Sequence, residues 1–357
     1  MESDTQHTTS SNLRGKKIFV GLSGGVDSAV SAALLQEAGA DITGVFIKGW
    51  YPPGMPCTWA DDRRDAMRVA ARLRIPFITL DASAEYKKGV IDYLLSEYAA
   101  GRTPNPDVMC NREVKFGAFY EFAKKNNALI ATGHYAQNIS GTLVRGIDAS
   151  KDQSYFLWAI PNEALRHTIF PVGAFPKSEV RMMAEKFDVP VAVKKDSQGI
   201  CFLGSISVDD FLREELSPTE GSAIDTFGIA IGKHDGAVLY TLGERIALHE
   251  TAKDIPAGPW YVLAKDMSTN TVTVSTAHAH SNATKTISLR EVNCFREIST
   301  EEKITVQYRY HGPKIEGVYN SKEQTFVPSE PIPESVASGQ SLVLYSDDVC
   351  VGGGIIV

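Results

Sequence analysis

Gly21-Leu22-Ser23-Gly24-Gly25-Val26-Asp27-Ser28 follows the apolar run KIFVGL and opens a stretch of helical periodicity from Val26 to about Ala38. Gly24 and Gly25 accept backbone angles closed to other residues, and without side chains they let main-chain N–H groups approach an anion. Ser23 is placed to cap the helix, whose N-terminus adds partial positive charge. This is chemistry for phosphate. The loop is not a Walker A motif, since no Lys-Ser/Thr pair follows the glycines, and it is not GxGxxG. The competing reading is a tight strand-to-helix turn with no ligand.

Outward from the loop, apolar runs alternate with amphipathic stretches. ITGVFIK precedes a helix expected over about Ala60 to Arg74, and PFITLD precedes one near Glu85 to Ala99. A helix near Val114 to Lys125 leads to ALIATGH. That rhythm predicts an α/β doubly wound parallel sheet over residues 15–205, with ligands beyond the carboxyl ends of its strands. SVDDFLREEL and HDGAVLYTLGERIAL suggest a small linking domain over 206–280. The short alternating strands of KITVQYRY and QSLVLYSDDVCVGGGIIV predict a carboxyl-terminal β-barrel over 281–357.

Composition sets limits. A chain of 357 residues, 43% hydrophobic, furnishes two or three cores. No stretch reaches the length of a membrane span and the first fourteen residues lack an apolar segment, so a cytoplasmic protein with no membrane partner is expected. The net charge of -7 argues against indiscriminate nucleic-acid binding but does not exclude an RNA substrate. Arg64, Arg68 and Arg72, spaced along one helix face, read either as an anion-steering stripe or as a solvated face. Five cysteines without a CxxC pair favour catalytic over structural use. Cys294 and Cys350 read as small buried hydrophobes.

The SGGVDS loop resembles the signature of the PP-loop ATP pyrophosphatases, whose fold is adenine nucleotide α-hydrolase-like. The resemblance implies that Gly21, Leu22, Ser23, Gly24, Gly25, Val26, Asp27 and Ser28 bind ATP. Mg2+ would offset the charge of the leaving pyrophosphate, and an acceptor oxygen would attack the α-phosphorus. Asp27 would help hold the metal indirectly or else cap the helix. Ile47 and Gly133 match positions lining the nucleotide pocket, and both also suit simple packing.

Behind the loop come GRTPNPDVMCN, ATGHYA, KDQSYFLW and KKDSQGICF. Together they resemble the bacterial tRNA-specific 2-thiouridylases from about Lys17 to the terminal VGGGIIV. The resemblance implies replacement of oxygen by sulfur at C2 of the wobble uridine in tRNAs for Lys, Glu and Gln. It makes Cys201 the persulfide carrier and Cys110 the nucleophile or resolving thiol, the pair ending as a disulfide. Both would be exposed and partly thiolate, helped by Lys194 or Lys195. The two prolines and the Asn of GRTPNPDVMCN predict a rigid extended turn presenting Asp107 and Cys110. By resemblance Asn105, Pro106 and Asp107 touch the target base, Asp107 otherwise stabilising the turn. Lys151, Asp152 and Gln153 touch tRNA or form a helix-start cluster. The expected partners are tRNA and a persulfide donor protein, and the free chain is expected to be monomeric. Asp107, Cys110 and Cys201 would alternatively ligate an iron-sulfur cluster.

Two departures from the family pattern bear on docking. Gly243-Glu244-Arg245 stands where the family shows Gly-Gln-Arg, placing an acidic residue near the RNA. Gln307-Tyr308-Arg309 stands for Arg-Tyr-Arg, leaving Arg309 and a stacking Tyr308 for the tRNA. Two other functions compete: a PP-loop ligase that transfers an amine, which would tolerate loss of both cysteines, and an RNA-binding protein with a vestigial ATP loop.

Overall fold

The computed structural model describes residues 13–52, 59–195, 207–251, 255, 258–276, 284–333 and 336–357. The chain divides into two compact units. One comprises residues 1–89, 107–204 and 348–350, and the other residues 90–106, 205–347 and 351–357.

The first unit is built on a five-stranded, fully parallel sheet. β1 (Lys17–Gly21) lies between β2 (Asp41–Lys48) and β4 (Leu129–Ala131). β3 (Phe77–Asp81) is the edge beyond β2, and Thr168–Ile169 is the edge beyond β4. Ile18, Val20, Val45 and Ile130 are completely buried, as expected of strands covered on both faces. α1 (Val26–Glu37) and α2 (Trp59–Leu73) lie within a residue or so of their expected bounds. α1 owes its place to small residues: Ala29, Ala32 and Ala33 let it pack closely, and Ser31 returns its hydroxyl to Asp27 O at 2.8 Å. The chain leaves β1 toward β2 on one side and later enters β4 on the other. The carboxyl ends of β1 and β4 therefore flank a topological switch point, the crevice in which open α/β sheets bind ligands.

The second unit holds two β structures. A five-stranded sheet places Gly221–Ile224 between Ala230–His234 and Thr271–Ser275, then continues through Trp260–Asp266 to Arg245–Ile246. Its core comprises Ala223, Ile231, Ala237, Ile246, Val262, Val272 and Val274. The carboxyl-terminal strands close into a six-stranded barrel, because Ile287–Cys294 pairs with Thr325–Pro328 on one side and with Val349–Ile356 on the other. Closure leaves no open edge. It also explains a glycine of the terminal GGG run: Gly352 has φ +148, and a Cβ there would stand 2.3 Å from Asn293 O on the closing strand.

One expectation fails at the NPD segment. Pro106–Met109 is helical rather than extended, and it continues through Cys110–Ala118, with π geometry, into Phe119–Lys125. Proline at the first helical position loses no hydrogen bond and has its φ preset, so it starts this helix where it was read as a stiff turn.

Candidate active site

The glycine loop closes over itself before it can close over a ligand. Ser28, buried at the start of α1, accepts from Ser23 N at 3.2 Å and donates to Gly25 O at 3.0 Å. Gly25 is the N-cap, and no side chain caps α1, so the expected cap by Ser23 is not made. Ser23 Oγ instead lies 3.3 Å from Ser28 Oγ and 3.4 Å from Gly25 N. Leu22 is core: its N–H donates to Val45 O at 2.8 Å, which removes it from the anion-binding set. Gly24 has φ +78, and a Cβ there would stand 2.4 Å from Asp62 O. A Cβ on Gly25 would meet only Ser23 Oγ, at 3.4 Å. The open face is therefore that of Gly25 and the first turn of α1, whose opening N–H groups have no acceptor inside the helix. That cradle fits a phosphate.

Gly133 follows the end of β4. A Cβ there would lie 2.7 Å from Ser28 N and 2.8 Å from Asp27 C, so only glycine lets this loop reach the backbone at the start of α1. Ile47 is half-buried near the end of β2, paired with Leu80. Gly21, Ile47 and Gly133 thus mark the ends of three adjacent strands.

Asp27 does not cap the helix. Its Oδ1 accepts from Lys177 Nζ at 2.6 Å and from Tyr135 Oη at 2.8 Å. Lys177 Nζ also lies 5.5 Å from the centre of the Tyr135 ring. Tyr135 N donates to Gln153 Oε1 at 3.0 Å, and Gln153 N returns a bond to Tyr135 O at 2.7 Å. Sequence reasoning missed Tyr135 and Lys177. Lys177 stands 150 positions from Asp27, and no local pattern joins them. Asp152 accepts from Arg145 Nη1, Gly146 N, Ser154 N and Ser154 Oγ at 2.9 to 3.0 Å, and it is buried. It is the organising residue of its own loop, whereas Lys151 is half-buried.

Asp107 and Cys110 lie on the helix that Pro106 begins. Asp107 is half-buried, and its burial pushes the carboxyl pKa up, an effect that the Lys115 ammonium opposes. Cys110, expected to be exposed, is only 4% exposed, among buried Val108, Met109 and Val114. It opens the π-helical stretch, a geometry often found at functional sites. Its neighbour Asn111 donates from Nδ2 to Phe156 O at 3.0 Å. Asn111 Oδ1 is buried without a partner among the described residues. Cys201 lies outside the described residues. The Lys194 ammonium bonds Asp62 Oδ1 and Asp65 Oδ2, each at 2.9 Å. Burial works against that charge, but the two carboxylates outweigh it and hold Lys194 above the usual lysine range. Among the described residues no three His, Cys, Asp or Glu side chains are grouped to hold a metal ion.

The expected RNA contacts change more. Gln307 and Tyr308 are both buried, Gln307 Nε2 donating to Gly312 O at 3.1 Å, so Tyr308 offers no face for stacking. The exposed residues are those that follow: Arg309, Tyr310, His311 and Lys314. Glu244 accepts from Thr241 N at 2.9 Å and so stabilises the turn in which it sits. Arg64, Arg68 and Arg72 pair with Asp61, Asp65 and Asp188. Exposed pairs of this kind contribute about 0.2–1 kcal/mol, as on a solvated face. Cys350 is buried as expected, and Cys294 is half-buried. No helix among the described residues is long and apolar enough to cross a membrane.

Comparison with known proteins covers nearly the whole chain. Residues 16–205 match the tRNA methyl transferase HUP domain, 209–276 the corresponding PRC-barrel domain, and 284–356 the aminomethyltransferase beta-barrel domain. The tRNA-specific 2-thiouridylase MnmA of Francisella tularensis subsp. holarctica is 40% identical over 97% of this chain and 100% of its own length. That of Pseudomonas fluorescens SBW25 is 41% identical over 97% of this chain and 96% of its own. Among solved structures, a 4-thiouridine synthetase–RNA complex with bound ATP aligns at 19% identity over 57% of this chain and 50% of that one, with a TM-score of 0.33. A likeness that loose decides nothing further.

Proposed function

Because this chain belongs to the tRNA-specific 2-thiouridylase family, we propose that it activates C2 of a wobble uridine in tRNA with ATP and replaces the oxygen there by sulfur. The observation that carries the ATP half is the cradle at Gly24–Ser28 on the switch point, backed by the close approach of Gly133. The loop's glycines and the first turn of α1 hold the phosphates, so that uridine O2 attacks the α-phosphorus and pyrophosphate leaves. The charge on Asp27 is already balanced by Lys177, so Asp27 does not fit a direct ligand of Mg2+. Its role is to hold Lys177 and Tyr135 beside the loop.

In the sulfur half, a persulfide on Cys201 attacks C2 and AMP departs with the former O2. The Cys110 thiolate then attacks Cys201 Sγ, which breaks the S–S bond to the transferred sulfur. This releases 2-thiouridine and leaves a Cys110–Cys201 disulfide, which an external thiol reduces. Asp107, whose pKa is raised by burial, is suited to orient the uracil or exchange a proton with it. Asn105 and Pro106 position the base. Among the proposed tRNA contacts, Lys151 and the exposed turn Arg309–Lys314 take the places of buried Asp152, Gln307 and Tyr308. The tRNAs for Lys, Glu and Gln are the proposed substrates, and a persulfide-carrying protein is the proposed donor.

Incubation with ATP, Mg2+, unmodified tRNA and a persulfide donor, followed by mass spectrometry of the nucleosides, should yield 2-thiouridine together with pyrophosphate. Cys201→Ser should abolish the thionucleoside. Undiminished thiolation by that variant would refute the sulfur half. Pyrophosphate at background with every tRNA would refute the whole reading.

A further inference from the structure

The segment Val90–Pro106 runs directly into Asp107, yet it belongs to the β-rich unit. The buried carboxylate of Glu97 accepts from Arg102 Nε at 2.9 Å, from Arg102 Nη2 at 2.6 Å and from Arg290 Nη2 at 2.5 Å. Arg290 stands on the barrel strand Ile287–Cys294. Burial acts to raise the Glu97 pKa, but the two guanidinium groups prevail and hold it below the usual glutamate range.

The neighbouring residues are held as firmly. Thr103 N donates to Ser338 O at 2.9 Å, Gln340 Nε2 donates to Thr103 O at 2.8 Å, and Thr103 Oγ1 donates to Thr241 Oγ1 at 3.2 Å. Gly339 has φ +91, and a Cβ there would stand 2.9 Å from both Thr103 N and Thr103 O. Gly101 has φ +78, and a Cβ there would lie 2.7 Å from Met267 Cγ. The stretch 97–103 is thus gripped by the barrel strand, by the 338–340 segment and by Thr241 and Met267.

Buried ion pairs rarely add stability over well-packed apolar side chains; what they can supply is a single geometry, and a two-point arginine–carboxylate contact fixes orientation as well as distance. Asn105 follows Thr103 by two residues, too short a tether to absorb a displacement of the grip. We propose that Glu97, Arg102 and Arg290 are positioning residues, locking the 97–103 segment to the β-rich unit so that RNA engaged by that unit sets where Asn105 and Asp107 meet the target base. The proposal rests on the base-contact role given above to Asn105–Asp107.

The test compares full-length Arg290→Gln and Arg290→Lys with the unaltered protein, using single-turnover thiolation of saturating tRNA, tRNA affinity and the alkylation rate of Cys110. In Arg290→Gln the rate of 2-thiouridine formation should fall at least tenfold while tRNA affinity stays within twofold, and Cys110 should alkylate at an altered rate. Arg290→Lys, which keeps a cation on Glu97 and so guards against failure to fold, should recover most of the rate. A thiolation rate unchanged in Arg290→Gln would overturn the proposal. So would a rate loss matched by the loss of tRNA affinity, or one equally deep in folded Arg290→Lys. Asp107→Asn separates the underlying reading: if it thiolates normally the base-contact role fails, whatever Arg290 does.

Discussion

An added methyl group at Gly133 would press on Ser28 N and on the carbonyl carbon of Asp27, at 2.7 and 2.8 Å. Both are backbone atoms at the start of α1 and cannot swing aside as the end of a side chain would. Gly133→Ala should therefore move the ATP cradle, destabilise the protein by about 1–3 kcal/mol as overpacking does, and lower tRNA-dependent pyrophosphate release at least tenfold. Pyrophosphate release unchanged in folded Gly133→Ala would remove Gly133 from the site. The sequence pointed to this residue only by resemblance, since a glycine that serves a close approach looks the same as one that serves a turn. Asp152 shows the converse. It stood beside Lys151 as an RNA contact, yet its four hydrogen bonds commit it to its own loop.

At the scale of the element, the loop after β4 carries a histidine in an apolar setting. His134 is buried against the rings of Phe116 and Phe170, and its Nδ1 lies 2.8 Å from Thr132 Oγ1. Burial, with a smaller push from the Lys115 charge, drops its pKa well below the ordinary value of 6.5, so the folded ring stays neutral. Below about pH 6.5 the unfolded chain takes up a proton that the folded site refuses, so stability falls as pH falls. The loss approaches about 1.4 kcal/mol per pH unit. His234, also lowered by burial, acts in the same direction. Urea midpoints between pH 7.5 and 5.5 should drop less in His134→Gln than in the unaltered protein, and an equal drop would remove His134 as a source. The helix from Pro106 to Lys125 was only half legible. Its later part has clear periodicity, whereas NPDVM carries turn residues, and proline reads as a breaker unless the first helical position is recognised.

For the whole molecule, a net charge of -7 means that tRNA must be met by local basic groups. With Gln307 and Tyr308 buried, the exposed Arg309–Lys314 turn is a basic, aromatic surface beside the barrel strand Lys303–Gln307. Arg309→Ala should lower the slope of log affinity against log salt concentration by about one, the loss expected for one phosphate contact, with thiolation of saturating tRNA nearly unchanged. An unaltered slope would take this turn off the RNA. By itself the sequence determined the parallel α/β unit, the phosphate loop, the β-rich remainder and the family, because periodicity, paired glycines and contiguous motifs are local properties of a chain. Only the tertiary structure decided which loop N–H groups remain for phosphate and that Asp27 is spent on Lys177 and Tyr135. It also decided that Cys110 and Tyr308 are buried, and that the segment leading to the NPD residues is gripped by the barrel. Those outcomes depend on partners far apart in sequence, and burial and pairing are set by the other side chains that fill the same space. The loop at Gly21–Ser28 belongs to both accounts: its residues announce an anion site, and the atoms left open to the anion follow from how Leu22, Ser23 and Ser28 have already been used.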